Sequence, residues 1–136
     1  MARKTLRYTV SDAGRDTGKV FVITEMPASQ AEKWAIRAFM AAAASGADIP
    51  DDLAAMGMAG MFRLGSEALA KIPFAQAEPL LDEMMACVQI APSPNNPGVV
   101  RDLIEDDIEE VATRVRLRTQ ILQLHVGFST ADATST

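Results

Sequence analysis

Pro27 forces a corner in this chain. Ahead of it, Lys19 to Glu25 (KVFVITE) is apolar and β-branched, the composition of a strand. Proline has no N–H to give a sheet ladder, and it turns the residue before it, Met26, away from helix. Just beyond, Ser29 stands three residues before Glu32. That is the spacing of a capping box, in which the hydroxyl takes one free amide of the first turn and the carboxylate takes another. A helix is expected from about Ala28 to Ala44, with Ala31, Trp34, Ala35, Ala38, Phe39 and Ala42 at helical spacing. Ile36, Met40 and Ala43 widen its apolar face, which predicts contact on more than one side. Trp34, the sole tryptophan, is the candidate core anchor. A sheet should therefore meet the helical part of the molecule at this corner.

Before the corner, Thr5 to Val10 alternates, with Leu6, Tyr8 and Val10 on one side, as a half-covered strand does. Ser11 to Gly18 (SDAGRDTG) is rich in turn formers, so residues 5–25 predict a β-hairpin. Phe21 and Ile23 share one face of its second strand, Val20 and Val22 the other. A lone hairpin is marginal in water, so it must pack on helices or pair with another chain.

After the corner the chain reads as helices. Gly46 lies where a glycine closes the first one. Asp51 or Asp52 can cap the next, LAAMGMAGMFRLGSEALAKI, in which Met56, Met58, Met61 and Phe62 alternate with Gly57, Gly60 and Gly65. Phe74 to Val88 predicts a further helix, with Pro79 marking a start near Glu78. Ile90 to Gly98 holds three prolines and predicts an irregular loop, and Val99 to Leu103 a short strand or lead-in. The longest helix is expected over Glu105 to Val126. Its stripe is Ile104, Ile108, Val111, Val115, Leu122 and Val126, with a second row at Leu117, Ile121 and Leu124. Acids crowd its start, and Glu110 with Arg114 has the spacing of a helical ion pair. The expected fold class is α+β: one domain over residues 1–128, made of a hairpin at 5–25 and four or five helices within 28–126. Residues 129–136 form a small, polar tail expected to be disordered.

The chemistry is sparse. One cysteine, Cys87, excludes an intrachain disulfide and a Cys-rich metal site. The single histidine, His125, sits between Leu124 and Val126, where a structural role at a helix end outweighs a catalytic one. No Glu-x-x-His or calcium-loop pattern occurs, and the acids near Asp106 read as a solvated helix start. Arg15 to Lys19 (RDTGK) lacks the frame of a phosphate loop and opens a strand rather than a helix. Neither an enzyme nor a cofactor is expected. A net charge of −5 argues against nucleic acid, and the small basic cluster of Arg3, Lys4 and Arg7 suits a solvated end. The N-terminus lacks the apolar core of a secretory signal, and no apolar run is long enough to span a membrane. For Met56, Met58, Met61 and Phe62 two roles stand: filling the core, or forming an adaptable protein-binding surface.

Three stretches together resemble the small tail assembly chaperones of long-tailed bacteriophages and prophages. They are the strand pair ending in VFVITEMPASQAEKWAIRAF, the Ala- and Met-rich middle, and the closing RDLIEDDIEEVATRVRLRTQILQLHVGF. The resemblance covers about Gly18 to Phe128 and is one of overall pattern. It implies a non-enzymatic protein of the host bacterial cytoplasm. Such a protein binds the helical tape measure protein, keeps it soluble until the tail tube protein polymerises around it, associates with itself, and is absent from the mature virion. A structural tail completion or connector protein, retained in the virion, is the alternative.

Overall fold

Val20–Thr24 takes the strand that its β-branched run predicts, and pairs antiparallel with Thr5–Thr9. These are β2 and β1. The computed structural model describes residues 3–46, 69, 71–93 and 95–126. Within them follow helix α1 (Ala28–Ala44), helix α2 (Phe74–Met85), β3 (Val88–Ala91), β4 (Arg101–Asp102), a 3₁₀ turn (Glu105–Asp107) and helix α3 (Val111–Val126). The fold is α+β. Among the described residues there are three α-helices, fewer than the four or five expected. The helix expected over the Met-Gly stretch and the tail at 129–136 lie outside the described residues. No helix among the described residues is long and apolar enough to cross a membrane.

The hairpin is half of a larger sheet. Its four strands run in the order β1-β2-β3-β4, all antiparallel. Two residues expected elsewhere build β3: Val88, assigned to a helix, and Ile90, assigned to a loop. The region 28–126 is thus not purely helical. In the register, Ile23 sits opposite Val88 and Phe21 opposite Ile90. Those four side chains are buried, while Val20, Val22 and Gln89 alternate to the other face and are half-covered. Phe21 and Ile23 therefore share the core face, as their spacing predicts.

One core joins that face to the helices. Trp34, Ala35 and Ala38 from α1, Ala77, Leu80 and Met84 from α2, and Leu117, Ile121 and Leu124 from α3 all belong to it. Small alanines at the contact let α1 come close. Trp34 is fully buried, and its indole N–H donates to the Leu80 carbonyl at 2.9 Å, so one side chain fills the core and ties α1 to α2.

The helix starts differ from the sequence reading. Ser29 makes no capping bond. The helix begins at Ala28, and the Pro27 carbonyl accepts from the Ala31 amide at 2.9 Å. Ser29 is thus already inside the first turn. Likewise α2 begins after Pro73, and Pro79 lies inside it rather than at its start. The carbonyl that an N–H at position 79 would have met belongs to exposed Ala75, where water can take its place. Ile36, Met40 and Ala43 stand exposed rather than contacted on a second side of α1. Gly46 closes α1 with φ +89°, as expected.

Trp34→Ala should lower the free energy of unfolding by about 3–5 kcal/mol. Urea denaturation followed by circular dichroism checks this, and a loss under about 1 kcal/mol would place Trp34 outside the core.

Candidate functional site

The loop between β1 and β2 reaches across to the start of α3 and fixes it. Asp16, only 1% exposed, is the centre of that contact. Its carboxylate accepts the Thr113 hydroxyl at 2.6 Å, the Glu109 amide at 3.0 and 3.1 Å, the Glu110 amide at 3.0 Å and the Lys19 ammonium at 3.0 Å. A negative charge ahead of a helix is favourable, because the free amides and the helix dipole are positive there. Burial pushes the Asp16 carboxyl up, but the bonds from Thr113, Glu109, Lys19 and Glu110 outweigh it and hold the group below the usual carboxylate range.

Local sequence makes the loop fit. Thr17 donates its hydroxyl back to the Asp12 and Gly14 carbonyls. Gly14 has φ +150°, and a Cβ on it would lie 2.9 Å from a Glu110 oxygen. The positive φ favours glycine here, and a side chain would also make the Glu110 carboxylate shift. Arg15 then donates through its side chain and its amide to Glu110, and through its guanidinium to the Glu109 carbonyl. Arg116 meets Asp12 from α3. On the other side Arg101 holds Asp107 with two bonds of 2.8 Å, while Asp107 accepts the Ile104 amide.

This clamp corrects three sequence readings. The acids near Asp106 are not simply a solvated helix start: Asp107 is buried and paired, and Glu110 is paired. The helix does not begin at Glu105, since a 3₁₀ turn and an extended step precede Val111. Glu110 therefore lies outside α3 and pairs with Arg15 instead of Arg114.

The clamp also sets which way α3 faces. Thr113 is pulled inward by Asp16, and the row continuing from it, Leu117, Ile121 and Leu124, is the buried one. Three residues of the near-heptad stripe are turned outward, with Val111 77% exposed and Ile104 and Val115 also exposed, while Ile108 and Leu122 are half-buried against the core. Beside it lies a cavity of about 420 Å³ lined by Met85, Val88, Leu103, Ile104, Ile108 and Arg114. A second groove, about 460 Å³, runs between α1 and α2 over Met40, Ala41, Ala44, Pro79 and Leu80. Met56, Met58, Met61 and Phe62 lie outside the described residues. The sequence shows two apolar rows on this stretch, but not which of them is the core.

The two reactive side chains are occupied structurally. His125 accepts the Met26 amide at Nε2, 2.9 Å away, and its Nδ1 lies 2.8 Å from the Ile121 carbonyl. Because Nε2 accepts, the hydrogen-bond geometry puts the ring proton on Nδ1, which donates to the Ile121 carbonyl. His125 ties the end of α3 to the Pro27 corner. Cys87 is half-buried, and burial pushes its thiol up to about 11, which makes it a poor nucleophile.

No protein-family model, no curated protein and no solved structure matches the chain.

Asp16→Ala should cost about 3–5 kcal/mol, because it strands the buried Thr113 hydroxyl and the Glu109 and Glu110 amides and leaves Lys19 with only the Asp107 carbonyl and Glu109. Asp16, Asp107 and Glu110 are all held below their ordinary values. Below about pH 4 the unfolded chain takes up protons more readily than the folded one, so stability should fall as the pH drops through that range. Urea midpoints between neutral and acid pH should show this fall, and Asp16→Asn should make it shallower.

Proposed function

We propose that this chain is a tail assembly chaperone, binding the tape measure protein in the host cytoplasm and keeping it soluble until the tail tube protein assembles. The observation that carries the reading is the outward apolar patch at the start of α3, with Ile104 from the lead-in and Val111 and Val115 from the helix displayed beside a cavity. Scattered apolar side chains are ordinary on a surface, but Val111 and Val115, one turn apart on α3, form with Ile104 from the lead-in an apolar patch of the kind a helical client needs. The resemblance over Gly18 to Phe128 points to the same role. The displayed Met40 and Phe74 add further apolar surface on α1 and α2. Self-association is part of the reading, and the Met-Gly stretch with Met56, Met58, Met61 and Phe62 remains a second candidate contact.

Co-expression with the long, helix-rich protein encoded just downstream tests it. The expected result is a partner that is insoluble alone, several-fold more soluble when co-expressed, and co-purified with this chain. A partner that neither binds nor gains solubility, with this chain retained in purified particles, would assign it to a structural tail component instead.

A further inference from the structure

The charged groups around the α3 row are unevenly matched. Every other arginine among the described residues donates to a carboxylate or a backbone carbonyl: Arg3, Arg7, Arg15, Arg37, Arg101 and Arg116. Arg114 and Arg118 meet no carboxylate among the described residues. They lie one turn apart on α3, on the same side as Val111, Val115 and Leu122. Both are half-buried. Burial holds the Arg118 guanidinium below its ordinary value, and repulsion from Arg114 adds to this. Two like charges set side by side in a partly desolvated place, with no acid between them, disfavour each other unless an anion arrives. The acids on this strip are Asp102 and Glu105, in the wall of the same cavity as Arg114. Both precede α3, so the strip is acidic toward its start and basic farther along.

We infer that this strip is a docking site for one amphipathic helix whose apolar face is flanked by acidic residues. The apolar side chains of the occupant cover Ile104, Val111 and Val115 and enter the cavity over Ile108 and Met85. Its acids meet Arg114 and Arg118 as charge-assisted, partly desolvated pairs. Because Asp102 and Glu105 precede α3 while Arg118 lies a turn beyond the cavity they share with Arg114, the charge pattern also fixes where along the occupant its acids belong. This deepens the client-binding reading, and rests on it only for the identity of the natural client.

The test uses the full chain and two synthetic helical heptad peptides, labelled for fluorescence anisotropy. Both carry leucine along one face; one has glutamate flanking that face, the other lysine. The glutamate peptide should bind at least about tenfold more tightly at low salt, with the difference shrinking as salt rises. Arg114→Glu together with Arg118→Glu should reverse the preference. Val115→Asp should weaken both peptides. Circular dichroism verifies folding, and Arg114→Glu alone serves if the double variant is unstable. Equal binding of the two peptides, a preference unmoved by the charge reversal, or no binding of either overturns the inference. So does a dimer in sedimentation that Val115→Asp converts to monomer, since the face would then belong to a second copy. If the peptide preference holds while co-expression fails, the surface stands and the client is a different helical protein. If co-expression succeeds while both peptides are ignored, the chaperone reading stands and its surface lies elsewhere.

Discussion

A single carboxylate holds the two ends of this fold together. Asp16 comes from the hairpin loop, and four donors converge on it from its own loop and from the lead-in and first turn of α3. A buried charge is costly to desolvate, and it persists only where nearly every lone pair is met. Here the bonds also do geometric work. They connect residues more than ninety positions apart in the chain. They stop α3 from starting earlier and turn Thr113 inward, and the core row of the helix follows from that rotation. The outward row follows from it equally.

What the sequence made legible is what local rules decide. β2 could be read from its β-branched run, the corner from Pro27, and α1 from its spacing. The turn glycines at 14, 18 and 46 all take positive φ. What stayed hidden depends on partners far away in the chain. β3 is four residues long and runs straight into a proline-rich loop, so nothing local separates it from the end of α2. It is a strand because β2 offers an open edge and Phe21 and Ile23 need Ile90 and Val88 opposite them. The clamp was hidden for the same reason. Asp16 read only as a turn residue, and Glu110 read as a partner for Arg114 because the start of the helix was placed too early.

The apolar row on α3 shows the limit of periodicity most plainly. Val111, Val115 and Leu122 have helical spacing, and so do Leu117, Ile121 and Leu124. Hydrophobicity alone cannot say which faces the core. A polar residue decides it, because Thr113 can be buried only where Asp16 receives its hydroxyl. The chain thereby closes its core with one row and keeps the other on display, next to two arginines that its own described acids leave unmatched.

The most direct test of the account is amide hydrogen exchange at Glu109, Glu110 and the first turn of α3, compared with the Asp16→Asn variant. If the Asp16 clamp organises the fold, the Glu109 and Glu110 amides in the native chain should exchange nearly as slowly as those of β2. In the variant they should open locally while β2 stays protected. Fast exchange of these two amides in the native chain, at the rate of an ordinary loop, would show that the clamp does not hold α3 and that the outward face is set by something else.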